Sequence, residues 1–264
     1  MRLDLFLVKQ GFFKSRQKAQ AAINDGYVRV NNKLVIKVSF NCEEGDIIDI
    51  NPNINPYVSR GGLKLEKAWQ YFKLNFKDKL VLDIGASTGG FTDCALKKGA
   101  RQVYALDAGT DQLDINLLKD KRVKSLENLN FRYATKKDLD ELKFDFVLID
   151  VSFISLKYIF ENLQNFAHKE TLIIALVKPQ FELYDEAYRQ RGVIRKKSDH
   201  LNALSNVVLE AKNFSLNLQG LTFSPIQGEK KGNIEFLALF SYKEVEKSID
   251  LRAIIEEAHK HFNN

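Results

Sequence analysis

Leu80-Val81-Leu82-Asp83-Ile84-Gly85-Ala86-Ser87-Thr88-Gly89-Gly90-Phe91 is the stretch on which the fold turns. An apolar run ends in an acid, a glycine-rich turn follows, and residues 91–98 then read as a helix. Short continuous apolar runs are what strands buried on both faces look like. The pattern recurs downstream. Residues 102–106 form a run that ends in Asp107, residues 144–149 one that ends in Asp150, and residues 172–177 one that ends in Lys178. Strands alternating with helices predict an α/β fold, a mostly parallel, doubly wound sheet with its ligand crevice at the strand C-termini. Late strands near 221–223 and 235–240 complete the sheet, and an amphipathic helix through Ile249, Ile254, Ile255, Ala258 and Phe262 closes the chain.

The turn itself is a candidate ligand loop. Its glycines let backbone approach a ligand closely, and the next helix offers its N-terminus. The spacing is neither the GxGxxG of dinucleotide folds nor the GK[ST] of a phosphate loop. Asp107 lies about 20 residues on, at the end of the second strand, where a carboxylate accepts from ribose hydroxyls. Asp83, just before the turn, is placed to face the amino-acid portion of a cofactor. Gly85, Ala86, Ser87, Thr88, Gly89, Gly90 and Phe91 with Asp83 and Asp107 resemble the S-adenosylmethionine site of a class I methyltransferase.

Upstream, the composition changes. The chain has 264 residues and a net charge of +6. Residues 1–40 hold eight basic side chains against Asp4 and Asp25, so the whole surplus lies at the front. Leu3, Phe6 and Leu7 fit a helix that Gly11 ends. Ser15 suits the N-cap of a second helix, with Ala19, Ala22 and Ile23 on one face and Gly26 as its stop. Tyr27–Val30, the Asn31-Asn32 turn and 34–36 read as a hairpin, and Gly45-Asp46 precedes a strand at 47–50. Arg2-Leu3-Asp4, Gly11, Ser15-Arg16, Ala19, Ile23, Gly26, Val28, Val30-Asn31 and Gly45-Asp46 resemble the S4 RNA-binding fold. The resemblance implies that two helices lie on structured RNA and meet mainly its backbone. The RNA-contact candidates are Arg2, Lys9, Lys14, Ser15, Arg16 and Lys18, with Arg60 beyond the linker. Expected domains are 1–50, a linker at 51–57 rich in turn residues, and 58–264.

Composition excludes several classes. Hydrophobic residues are 45% and charged ones 28%, which is globular rather than disordered. The longest apolar run falls far short of the roughly 20 residues that span a bilayer, and no signal-peptide pattern opens the chain. Cys42 and Cys94 have no metal spacing and read as two reduced thiols. The expectation is a cytoplasmic protein with no metal, no membrane contact and a monomeric state.

Lys64 sits on the helix before the sheet, Asp150 and Lys178 at strand tips, and Glu235 at the edge of another strand. In that order they match the K-D-K-E tetrad of 2′-O-ribose methyltransferases related to FtsJ. The strings at 57–65, 150–156, 178–182 and 232–236 resemble the TlyA family, which joins an S4 domain to an FtsJ-like methyltransferase and has also been labelled hemolysin. The resemblance covers essentially the whole chain. It implies methylation of the 2′-hydroxyl of a cytidine in ribosomal RNA, with Lys64, Asp150, Lys178 and Glu235 as catalytic residues. With no long extension before Arg2, the chain resembles the shorter TlyA form, which acts on large-subunit (23S) RNA. The family's acid-Arg-x-Asn-x-Arg string is only partly matched at 127–132. Asn130 is kept as a cofactor candidate, whereas Asn128 stands where the family has arginine. Further basic groups at 189–191, 195–197 and 230–231, and Tyr184, Tyr188 and Arg191, are candidates for RNA contact and for docking a flipped base. The alternatives are an RNA-binding module with an inactive second domain and a membrane-active cytolysin.

Overall fold

Asn31 and Asn32 both adopt left-handed backbone, with φ of 50° and 66°, the conformation a two-residue hairpin turn of matching twist needs and asparagine tolerates. They join β1 (Val28–Val30) to β2 (Lys33–Leu34), and β3 (Ile48–Ile50) pairs antiparallel on the other side of β1. The computed structural model describes residues 1–13, 15–24, 26–51, 55–183, 192–228, 232–244 and 248–262. It divides into two units, Met1–Ser59 and Arg60–Asn264.

In the first unit α1 (Leu3–Lys9) and α2 (Arg16–Asn24) pack on this small sheet. The core is Leu3, Phe6 and Leu7 of α1, Ala19, Ala22 and Ile23 of α2, with Val28, Val30, Val35 and Cys42. The second hairpin strand is shorter than the apolar run 34–36 predicts. Val35 still donates to Val28, but Ile36 is exposed and leaves the ladder. The buried Asp4 collects three side chains: Arg2 Nε at 3.0 Å, Arg16 Nε at 2.7 Å and Gln20 Nε2 at 2.7 Å. Burial alone would raise its carboxyl. The donors from Arg2, Gln20 and Arg16 outweigh that and hold it well below the usual carboxylate range.

The second unit opens with α3 (Gly61–Tyr71) and holds β4 (Leu80–Ile84), α4 (Gly90–Lys97), β5 (Gln102–Leu106), α5 (Ile115–Leu118), β6 (Val123–Leu126), β7 (Phe144–Ile149), α6 (Lys157–Leu163), β8 (Ala167–Val177), α7 (Pro179–Glu182), α8 (Lys197–Asn213), β9 (Asn217–Phe223), β10 (Phe236–Ser241) and α9 (Leu251–Phe262). The sheet order is β6-β5-β4-β7-β8-β10-β9. The first five strands are mutually parallel, and β10 runs antiparallel to both β8 and β9. The α/β fold and its mostly parallel sheet are as the sequence predicts. Every residue of β4 is buried, Asp83 included. The half-buried edge strand β6 has no such run and left no signal in the sequence. The chain winds outward from β4 to β6 and then crosses back to β7. The switch point therefore lies between β4 and β7, where ligands of such sheets bind.

His200 of α8 meets His259 of α9, Nδ1 to Nε2 at 3.0 Å, both buried. Burial, aided by the His259 charge, pushes His200 down to about 4, and His259 is also lowered by burial.

Candidate active site

The turn after β4 works only with glycine at two places. Gly85 has φ of 82°, and a Cβ there would lie 2.5 Å from the Asp150 carbonyl oxygen. Gly89, the N-cap of α4 with φ of 94°, would drive a Cβ to 2.2 Å from Leu117. Ser87 also takes left-handed backbone, φ 48°. Asp107 fastens this turn: its Oδ2 accepts from the Ser87 amide at 2.8 Å and its Oδ1 from the Gly109 amide at 2.7 Å. One carboxylate thus ties the loop after β4 to the loop after β5, and each oxygen keeps a second lone pair for a hydroxyl.

Asp83 is completely buried. Its Oδ2 accepts from Thr92 Oγ1 at 2.6 Å, and its Oδ1 has no hydrogen-bond partner among the described residues. Burial pushes the carboxyl up to about 7 against the pull of the Thr92 bond, and the nearby Asp150 charge adds to the rise. An orphaned acceptor beside a glycine turn is what a donor-bearing ligand would satisfy. Asn130 is exposed at the start of a 3₁₀ turn and accepts from the Arg132 amide at 3.0 Å, while Leu129 donates to the Asp107 carbonyl. Asn128, which departs from the family string, has φ of 55°, a conformation asparagine adopts more readily than most residues.

The four tetrad side chains gather at one sheet edge as two ion pairs. Lys178, directly after β8, places Nζ 2.7 Å from Asp150 Oδ1 and 2.8 Å from Ser152 Oγ. Lys64, from the first turn of α3, places Nζ 2.7 Å from Glu235 Oε2. The β8–β10 register pairs Val177 with Phe236. Lys178 follows Val177 and Glu235 precedes Phe236, so the antiparallel register brings them abreast. Lys64, Lys178 and Glu235 are all nearly buried. Glu235 also crowds Gly228, whose Cβ would lie 2.7 Å from its Oε1. Asn233, buried beside it, accepts from the Ile194 amide at 2.8 Å and donates to the Gly192 carbonyl.

Three contributors stand inside the strings 150–156 and 178–182 but carried no assigned role in the sequence. Ser152 shares Lys178 with Asp150. Phe153 combines 79% exposure with φ of 67°, and its ring lies 5.3 Å from that of Phe181. Glu182 joins the same loop from α7. The available signal was Phe153: a large aromatic just past a strand-end acid, where turn residues are usual.

The expected RNA contacts have mixed fates. Arg2 and Arg16 remain half exposed, but each spends its Nε on Asp4. Lys9 and Lys18 are exposed, and Ser15 Oγ accepts from the Lys18 amide at 3.3 Å. Arg60 is half buried and belongs to the second unit. Lys14, Tyr184, Tyr188, Arg189, Gln190, Arg191, Lys230 and Lys231 lie outside the described residues. Lys197 pairs with Glu256. Among the described residues no group of three or more His, Cys, Asp or Glu could hold a metal, and no helix is long and apolar enough to cross a membrane.

Residues 57–242 match the FtsJ-like methyltransferase model and residues 1–48 the S4 domain model. The chain is 41% identical over 266 residues to the "putative rRNA methyltransferase YqxC" of Bacillus subtilis (strain 168), covering 98% of this chain and 94% of that one. It is 31% identical to the 16S/23S rRNA (cytidine-2′-O)-methyltransferase TlyA of Mycobacterium tuberculosis (strain ATCC 25618 / H37Rv), covering 98% and 96%. A solved structure titled "putative hemolysin from Streptococcus thermophilus" superposes with a TM-score of 0.79 at 41% identity, covering 100% and 97%. With an S4 domain in front of an FtsJ-like methyltransferase domain that carries the tetrad, the chain belongs to the TlyA family.

Proposed function

We propose that this protein transfers a methyl group from S-adenosylmethionine to the 2′-hydroxyl of a cytidine in ribosomal RNA, within the large-subunit (23S) RNA. The observation that carries the reading is the pairing of Lys178 with Asp150 abreast of Lys64 with Glu235, beside the glycine turn. The residues around that turn fit the cofactor. Asp107 would take its ribose hydroxyls, the 85–91 turn would cradle it, and the orphaned Asp83 Oδ1 would answer a donor at its amino-acid end. When bound, S-adenosylmethionine supplies an electrophilic methyl group on a positively charged sulfur.

The chain's own task is to present a ribose oxygen in line and manage its proton. Lys178 Nζ meets the 2′-oxygen, as an amine that takes its proton or as an ammonium that stabilises the developing alkoxide. Asp150 and Ser152 hold that nitrogen in place. Lys64, fixed by Glu235, orients the 2′-oxygen or its neighbouring phosphate. Phe153 offers an exposed ring on which an extruded base would stack. Arg2, Lys9, Ser15, Arg16 and Lys18 would grip RNA phosphates from the first unit. The substrate places the protein in the cytoplasm.

Mapping 2′-O-methyl positions in ribosomal RNA from cells with and without this protein tests the proposal. Loss of one cytidine mark in 23S RNA is expected, and an unchanged methylation map would overturn it. The hemolysin name of the streptococcal relative is the second reading. Lysis of erythrocytes by purified protein would favour it, whereas intact cells would leave the enzymatic reading alone.

A further inference from the structure

We propose that Glu182 is a positioning residue that zips the loop 150–156 onto the turn of helix starting at Lys178. This inference rests on the assignment of Lys178 and Asp150 given above. Lys178 is the extended N-cap of α7, and Phe181 and Glu182 lie in the single helical turn that follows it. Each takes hold of the loop at a successive point. Lys178 binds Asp150 and Ser152. Phe181 packs its ring on Phe153. Glu182 accepts from Ser155 Oγ at 2.8 Å through Oε2 and from the Leu156 amide at 3.1 Å through Oε1. Its main chain is fastened from behind, where Asn206 of α8 donates to the Glu182 carbonyl at 3.1 Å.

The loop needs such a fastening. Phe153 holds a left-handed φ that non-glycine residues adopt at a cost, and such strain persists only where surrounding contacts fix it. Glu182 is only 6% exposed, and the amide it takes belongs to the residue capping α6, whose first donors have no intrahelical partner. A buried carboxylate on these donors makes charge-assisted bonds, about twice as strong as neutral ones. With that clamp gone the loop would relax around Phe153. Ser152 and Asp150 would then drift from Lys178 Nζ without any catalytic group being removed.

The test compares Glu182→Ala with Glu182→Gln in the full-length protein by methyl transfer to an rRNA transcript, S-adenosylmethionine affinity and amide exchange. Glu182→Ala should lower kcat roughly 10- to 100-fold, leave cofactor affinity within about twofold, and speed exchange at Leu156 and its loop neighbours about tenfold. Glu182→Gln should recover most of kcat, because its amide oxygen accepts from Leu156 and its NH2 donates to Ser155. Unchanged exchange at Leu156 in Glu182→Ala would overturn the proposal. So would equal losses in both variants with a matching drop in Tm, which would mark Glu182 as plain packing. Lys178→Ala run in parallel separates the two failures. Full activity there sinks the assignment of the site, while the exchange data still decide whether Glu182 fastens the loop.

Discussion

Two clusters of buried carboxylate and cation, one in each unit, use opposite chemistry. Asp4 is saturated: two arginines and a glutamine converge on one acid, and the arginines stay half exposed. In the second unit each acid meets a lysine, and both lysines are nearly buried. Arginine is always charged and binds in a fixed fork, so it suits a permanent anchor whose outer edge faces phosphate. Lysine is a compact charge that can hold or release a proton, so it suits a site where a proton must move. The same pairing of charges therefore builds a scaffold in one unit and, on the function proposed above, a reaction site in the other.

The comparison breaks most visibly at Lys178. Lys178→Ala should cost about 10³-fold in methyl transfer with cofactor binding nearly intact. Lys178→Arg should not rescue it, because a permanently charged fork neither takes nor releases a proton. Next comes Glu235→Ala, which takes from the nearly buried Lys64 its carboxylate partner at 2.7 Å. A loss of about 3 kcal/mol in chemical denaturation of the second unit is expected, and the Lys64→Met/Glu235→Leu double variant should recover part of it.

Acid sharpens the contrast further. Asp4 is depressed, so its contribution is whole above its ordinary pKa of 3.8 and fades only as pH falls below that. His200 is held neutral, so the unfolded chain gains protons first and the second unit loses stability from pH 6.5 down to about 4. Asp83, raised to about 7, tilts the second unit the other way over that range. Subtracting the profile of a His200→Gln variant isolates the histidine part. Amide exchange followed from pH 7 to 4 should show that difference in the second unit and none in the first. The smallest effect is at Phe153, where Phe153→Leu should lower kcat/KM for RNA about tenfold, within the range for loss of one base stack, and leave cofactor affinity unchanged.

The parts of this molecule legible in sequence were those enforced by burial. Strands β4, β5 and β7 announce themselves because both faces are covered, so most positions are apolar, the exceptions being Asp83, Gln102 and Asp145. Asp150 and Lys178 stand out for the same reason, as the first polar residues after such runs. Edge strand β6 alternates weakly and passed unseen. Arg2 and Arg16 read as a free basic surface, because nothing local says that Asp4, two residues from one and twelve from the other, takes both. The left-handed Phe153 and the reach of Glu182 to Leu156 are tertiary facts. They come from bringing two strand-end loops together, and no period or propensity encodes them.

The most direct test is to incubate the purified protein with labelled S-adenosylmethionine and a 23S rRNA transcript, digest the RNA to nucleosides and identify the labelled one. The account predicts label in 2′-O-methylcytidine, abolished in Lys178→Ala. Label on a base instead, or undiminished transfer by Lys178→Ala, would contradict it.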